Sequence, residues 1–322
     1  MPPTGADLTP TEVVGDLPRA QVVGRSPWQL AWLRLRQDRW ALAGAIVVVL
    51  FFLIAIGAPL LAAIEGQDPY TYHVDLLDPV QANAPRGAFG GVSLQHWFGV
   101  EPLTGRDMFA IVVYGARTSF LIGVAAAATS VLIGTAAGLV AGLSGGFVDT
   151  LIGRIMDVVF SFPALIFMIA LTVIAPDWLP KPVLLIAVMG FFGWPTVGRV
   201  VRAQVLSLVR REFIDAARTL GAQPLRIMAR ELLPNVATPI IVYTTILIPS
   251  MIGTEAALSY LSVGIPPPTP DWGRSISDAV QWVQTDPMFL IFPGGALFLV
   301  VLAFNILGDG IRDALDPRLG RL

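Results

Sequence analysis

Residues 40–64 read WALAGAIVVVLFFLIAIGAPLLAAI, a run of 25 residues without a charged side chain. A helix needs about 20 mostly apolar residues to cross the hydrocarbon core of a bilayer. A helix that is apolar on every face must be surrounded by lipid or by the interior of a large protein. The run therefore predicts a membrane-spanning helix, and it decides the class of fold.

The composition of the whole chain indicates the same class. Of its 322 residues, 55% are hydrophobic and 14% are charged, whereas an ordinary soluble domain carries about 25% charged residues. The mean hydropathy is +0.70. A soluble fold of this length cannot keep so much apolar surface away from water. The composition therefore argues against a water-soluble enzyme or binding module.

Several kinds of site are excluded or disfavoured by what the chain lacks. It contains no Cys and two His, which disfavours a disulfide framework, a thiolate metal site and a Cys nucleophile. It has no G-x-x-x-x-G-K-[ST] loop for ATP phosphates. Its net charge of −2 argues against a nucleic-acid partner. We expect no cofactor.

Five further apolar runs predict an all-α integral membrane protein with six transmembrane helices. They are residues 118–148, 158–176, 182–198, 232–254 (continuing past Glu255 to Val263) and 287–308. The expected organisation is a disordered segment 1–25, an interfacial helix 26–39, the first span 40–64, a loop 65–117, a core domain 118–308 with five spans, and a tail 309–322.

The distribution of basic residues predicts the orientation, because cytoplasmic loops carry an excess of Arg and Lys. If the N-terminus is cytoplasmic, 16 of the 21 basic residues lie inside, and five lie outside, namely Arg86, Arg106, Arg117, Lys181 and Arg274. Both termini are therefore expected in the cytoplasm and residues 65–117 form an external loop. The two His in that loop are expected to be ordinary surface residues.

The segment before the first span carries an amphipathic pattern. Trp28, Ala31, Trp32 and Leu35 have the spacing of one helix face, and Arg side chains occupy other positions. Such a helix can lie in the plane of the membrane interface. The alternative is a cytosolic extension of the first span.

Three glycines in the second span are spaced four residues apart. Gly134, Gly138 and Gly142 share one helix face, and small residues at this spacing allow a second backbone to approach closely. The pattern predicts tight helix packing and says little about chemistry.

The loop 199–237 carries seven Arg residues and a clear local pattern. Residues 212–220 predict a short helix, and Gly221 is placed to stop it in a left-handed conformation. Pro224 is suited to the first turn of a second helix, which Pro234 is expected to end. The result is a compact helical hairpin, residues 212–234, suited to docking on another protein. The alternative is a basic interfacial loop held by anionic lipid.

Several motifs resemble those of the second permease of dipeptide and oligopeptide ABC importers, the DppC/OppC type. The similarity covers roughly residues 95–322. It is carried by Asp215-Ala216-Ala217-x3-Gly221-x9-Glu231-Leu232-Leu233-Pro234, which is similar to the EAA loop, by segments 255–264 and 267–273, by Gly105-Arg106-Asp107 and Tyr114-Gly115-Ala116-Arg117, and by segment 302–319. Asp215 replaces the usual Glu of the EAA loop, and Glu231 occupies a position that is often His.

The resemblance implies a type I ABC importer permease fold in the bacterial plasma membrane. It implies a heterodimer with a related permease, two cytoplasmic ATP-binding subunits that hydrolyse ATP, an external solute-binding protein and a peptide substrate. Related importers carry nickel, glutathione or oligosaccharides. The implied ATPase-coupling residues are Glu212, Asp215, Ala216, Ala217, Gly221, Leu233 and Pro234.

Glu255 is the one clear ionisable residue inside a predicted span. A carboxylate there is costly, so it should face the protein interior and have a partner. It is a candidate pathway or gate residue, and the alternative is a structural hydrogen bond. A secondary transporter would need more such groups and usually inverted repeats. A membrane enzyme would need a nucleophile and base at one depth, and the sequence offers neither pattern.

Overall fold

The computed structural model describes residues 27–176 and 178–316, and within them the chain is predominantly helical. In chain order the α-helices are α1 Pro27–Gln37, α2 Arg39–Glu65, α3 Met108–Ser144, α4 Gly146–Ser161, α5 Ala164–Ile174, α6 Lys181–Leu208, α7 Glu212–Thr219, α8 Pro224–Arg226, α9 Leu233–Tyr260, α10 Trp272–Ala279 and α11 Met288–Leu315. A π-helical segment, Ile227–Leu232, joins α8 to α9. The predicted segment 1–25 lies outside the described residues.

Five of the described helices are long and apolar enough to cross a membrane: α2, α3, α6, the continuous helix Pro224–Tyr260 and α11. Helices α4 and α5 meet with a bend of 83°, and they provide a sixth crossing if the pair is one broken span. The span predicted over 158–176 is therefore not one continuous helix, because it is broken between Ser161 and Ala164. Pro163 lies at the break, because proline lacks a donor and disfavours helical backbone in the residue before it.

Helix α3 begins ten residues before its predicted start at residue 118. Asp107 caps it, with its Oδ1 accepting a hydrogen bond from the backbone N–H of Ala110 at 2.7 Å. The connecting loop is thus residues 66–107 and not 65–117. Arg117 interrupts the uncharged run, so a search for uncharged stretches missed the apolar turns 108–116 that precede it. We call the end of the molecule that carries this loop the loop end, and the opposite end the hairpin end.

Gly134, Gly138 and Gly142, here called the glycine stripe, give α3 the close helix contact that the sequence predicted, and the partner is α6. A Cβ added to Gly134 would lie 2.6 Å from the carbonyl oxygen of Trp194, and one added to Gly138 would lie 2.8 Å from the carbonyl oxygen of Gly198. A Cβ added to Gly142 would lie 2.6 Å from Val205 Cγ1 and 3.2 Å from the carbonyl oxygen of Arg202. The two helices run parallel along this contact, and their backbones touch because no side chain intervenes.

The segment ahead of the first span is a separate helix. The helix is interrupted at Asp38, which has an extended backbone and whose Oδ1 accepts from the N–H of Trp40 at 2.9 Å and caps α2. Ala31 of α1 is buried and Trp32 is exposed, while Arg34 Nη1 donates to the carbonyl oxygen of Asp316 at 2.9 Å. Helix α1 therefore packs beside the end of α11 and does not extend α2.

The loop 66–107 is tied down at the loop end by buried polar pairs. His96 Nδ1 lies 2.8 Å from Asp107 Oδ2, and both side chains are buried. Burial lowers the pKa of His96 and raises that of Asp107. The expectation of two ordinary surface His was therefore wrong for His96. Arg106 forms two hydrogen bonds to the carboxylate of Glu101, at 2.8 and 3.0 Å.

Candidate functional site

The first limb of the hairpin, α7, has charges that suit its direction. Glu212 and Asp215 lie in its first turn and Arg218 in its last, which complements the helix dipole. Ile214 is fully buried and anchors the limb to the core, whereas Asp215 is exposed and contacts Arg218 at 3.3 Å. The limb is thus fixed on one side and open to solvent on the other.

The turn after α7 is a Schellman motif. Gly221 has a φ of +78°, and its N–H donates to the carbonyl of Arg218 at 2.9 Å. The N–H of Ala222 donates back to the carbonyl of Ala217 at 3.0 Å. This pair of bonds closes the helix end and requires a left-handed residue at its centre. The prediction of a positive φ at Gly221 is confirmed.

The second limb differs from its prediction. It begins at Pro224 as expected, but the helix continues through the π-helical segment into α9, so Pro234 does not end it. A proline ring crowds the carbonyl of the residue four positions earlier, and the wider π turn immediately before Pro234 relieves that crowding. Ile227 and Leu232 are buried and fix this limb in the core.

The predicted coupling residues lie on one helical hairpin and the start of α9, and they form two groups at different distances from the hairpin tip. Glu212, Asp215, Ala216 and Gly221 are exposed on the tip and the first limb, and Ala217 is half-buried. Leu233 and Pro234 are exposed on the first turn of α9, farther from the tip.

Sequence analysis did not identify two exposed residues of the hairpin tip. Leu220 and Leu225, on either side of the Gly221 turn, are 88% and 71% exposed. The sequence feature that could have identified them is a pair of leucines on either side of a turn, where no buried core is available to cover them. The tip therefore presents two exposed apolar side chains beside the Gly221 turn. No group of three or more His, Asp or Glu that could hold a metal ion occurs in residues 27–176 and 178–316.

Glu255 lies near the loop end of α9 and is fully buried. Ser259 Oγ donates to its Oε1 at 3.0 Å, and the carboxyl group of Asp271 faces it. The expectation that Glu255 faces the interior with a partner is confirmed. Asp271 in turn caps α10, since its Oδ1 accepts from the N–H of Arg274 at 2.9 Å.

The surroundings of Glu255 join three helices. Gly273 of α10 touches the backbone of Ala256, where even a Cβ would not fit, and Trp272 Nε1 donates to the carbonyl of Val112 in α3 at 2.9 Å. Glu255 therefore occupies the junction of α3, α9 and α10, where tight backbone contacts leave its carboxyl group no route to solvent.

Comparison with known proteins identifies the family. Residues 134–321 match the family described as binding-protein-dependent transport system inner membrane component, and residues 26–85 match the N-terminal TM domain of oligopeptide transport permease C. The similarity thus begins well before residue 95, where the sequence motifs had placed its start.

Curated relatives match over nearly the whole chain. The dipeptide transport system permease protein DppC of Alkalihalophilus pseudofirmus is 38% identical over 94% of this chain and 93% of its own length. The glutathione transport system permease protein GsiD of Shigella flexneri is 39% identical over 92% of each chain. The oligopeptide transport system permease protein OppC of Bacillus subtilis is 38% identical over 95% of this chain and 94% of its own.

A solved structure supports the fold. The MetNI methionine ABC transporter in an inward-facing conformation matches with a TM-score of 0.52 and 19% identity, over 65% of this chain and 98% of that chain. At this sequence identity the match supports the fold alone, which is the type I ABC importer permease fold. Taken with the family matches and the helical hairpin, it shows that the chain belongs to the binding-protein-dependent transport system inner membrane component family, as a multi-pass permease subunit of an ABC importer.

Proposed function

We propose that this chain forms half of the translocation pathway for di- or oligopeptides, paired with a second, related permease. The observation that carries the mechanism is the continuous helix Pro224–Tyr260, which joins the exposed hairpin tip to a membrane span. With a rise of about 1.5 Å per residue, it extends from the hairpin end to the loop end. A push on the tip would therefore move Glu255 and α10 at the other end.

The partners that drive this motion would be two cytoplasmic ATP-binding subunits that dock on the tip around Leu220, Gly221 and Leu225. The hairpin end then faces the cytoplasm of a bacterial plasma membrane, with both termini inside. An external solute-binding protein would deliver the substrate to the loop end. Closure of the ATPase pair would rock the spans between outward- and inward-facing states.

The peptide substrate is inferred from relatives whose names state dipeptide and oligopeptide transport. Glutathione is a second candidate, because a glutathione permease matches this chain at 39% identity. Both are peptides with free carboxylates, so the two candidates share the chemistry that the pathway has to accommodate.

The test is uptake by proteoliposomes that contain the two permeases, the ATP-binding subunits and the binding protein. We expect ATP-dependent uptake of a dipeptide only when this chain is present. The purified chain alone should show no ATP turnover above background, because it lacks a phosphate-binding loop. Robust turnover from a verified single-subunit preparation, or uptake without this chain, would contradict the proposal.

Glu255 gives a separate prediction about the junction at the loop end. Glu255→Gln keeps an acceptor oxygen for the Ser259 hydroxyl and nearly the same volume, so we expect assembly and uptake close to wild type. Glu255→Ala removes that acceptor inside a buried contact, which should cost roughly 1–3 kcal/mol of stability. Thermal unfolding in detergent and uptake are measured for both. Loss of uptake in an assembled Glu255→Gln importer would instead make Glu255 a gate residue.

A further inference from the structure

A cavity of about 380 Å³ opens at the loop end between four parts of the chain. The outer turns of α3 supply Tyr114, Arg117 and Thr118, and the start of α6 supplies Lys181. Residues 265–270, which follow α9, form the opposite wall with Tyr70 of the loop 66–107. The rings of Tyr70 and Tyr114 contact each other edge to face at 6.4 Å, which fixes this side of the cavity.

The cavity is positively charged, and no Asp or Glu is found among the described residues that line it. Lys181 Nζ donates one hydrogen bond, to the carbonyl oxygen of Thr172 at 2.8 Å, and an ammonium group has further N–H donors available. Lys181 is also the first residue of α6, so the positive end of that helix dipole lies at the cavity.

Arg117 is the second cation of the cavity. It is exposed, and among residues 27–176 and 178–316 no carboxylate lies within salt-bridge distance of it. Two further arginines at the loop end are paired with carboxylates, since Arg106 lies 2.8 Å from Glu101 and Arg274 lies 3.6 Å from Asp278. Within residues 27–176 and 178–316, no carboxylate compensates the positive charge of Arg117 and Lys181 in this concave site, whose apolar walls are Leu121, Ile122 and Ile265.

We propose that this cavity binds the C-terminal carboxylate of the transported peptide as it enters the pathway. The inference rests on the proposed peptide function and specifies which chemical group of the substrate this chain recognises. The guanidinium of Arg117 can hold a carboxylate through two parallel hydrogen bonds, and Lys181 supplies a point charge. The volume accommodates the terminal residue of a peptide, and the apolar walls accept its side chain.

The experiment compares a free dipeptide, alanyl-phenylalanine, with its C-terminal amide in proteoliposomes that contain the complete importer. The variants are Arg117→Gln, Lys181→Gln and the double variant, and the control is Arg86→Gln, which removes an exposed cation of the loop 66–107 outside the cavity. The binding protein is unchanged throughout, so its own preference cancels when each variant is compared with wild type. The assay is repeated in purely zwitterionic phospholipid and in vesicles with one-third phosphatidylglycerol.

We expect the double variant to lower uptake of the free dipeptide about tenfold relative to wild type. Uptake of the amide should change less than about twofold, and Arg86→Gln should change neither. Equal losses for both peptides, or no loss for either, would overturn the inference. So would a loss that occurs only in vesicles with phosphatidylglycerol, because the anion bound by the cavity would then be a lipid phosphate. Absence of uptake by the wild-type importer would instead count against the proposed peptide function itself.

Discussion

Replacement of Gly221 by valine is expected to abolish ATP-driven uptake while the membrane-embedded helices remain folded. Gly221 has a φ of +78°, and a side chain there costs about 1–2 kcal/mol in backbone strain, most of all when it is β-branched. Apart from the two chain neighbours, an added Cβ would meet no atom of the described residues within 4 Å, so the strain stays in the turn. The added side chain would also lie in open space at the tip that carries Leu220 and Leu225, where the ATP-binding subunits are proposed to dock.

Two matched variants separate backbone strain from the loss of charge. Gly221→Asn should retain much of the activity, because Asn tolerates the left-handed conformation. Asp215→Ala should lose little transport activity, because the exposed ion pair between Asp215 and Arg218 contributes only about 0.2–1 kcal/mol. Co-purification of the ATP-binding subunits and uptake are measured for each. If Gly221→Val keeps both while charge reversal of the hairpin arginines does not, the segment is a lipid-held basic loop.

Replacement of Gly138 by alanine should destabilise the membrane-embedded core. The new Cβ would lie 2.8 Å from the carbonyl oxygen of Gly198 and 2.9 Å from the N–H nitrogen of Arg202. Both are backbone atoms of α6, so the helices must separate along their parallel contact. Overpacking of this kind costs about 1–3 kcal/mol, and we expect the midpoint of thermal unfolding in detergent to fall by roughly 2–10 °C.

The control is Gly57→Ala in α2, where an added Cβ meets no atom within 4 Å. Both substitutions gain the same helix propensity, about 1 kcal/mol, so the difference between them isolates the close contact. An unfolding midpoint for Gly138→Ala equal to that of Gly57→Ala would show that α3 and α6 do not depend on the glycine stripe.

Much of this protein could be predicted from local sequence patterns. Apolar runs located the spans because lipid imposes one length and one polarity on any helix that crosses it. The spacing of Gly134, Gly138 and Gly142 predicted a close helix contact without naming its partner. Gly221 and Pro224 predicted the turn and the start of the second limb, because left-handed backbone and a missing N–H are properties of single residues.

Other features were decided only by the tertiary structure. Pro234 does not end its helix, because the preceding π-helical turn leaves room for the proline ring, and buried Ile227 and Leu232 hold that turn in place. His96 is buried against Asp107 because the loop 66–107 folds onto α3. The cavity of Arg117 and Lys181 joins residues 64 positions apart. Local sequence patterns predict the backbone conformation of a segment and whether that segment lies in lipid or in water. Long-range packing determines which charges are neutralised and which remain available to a ligand.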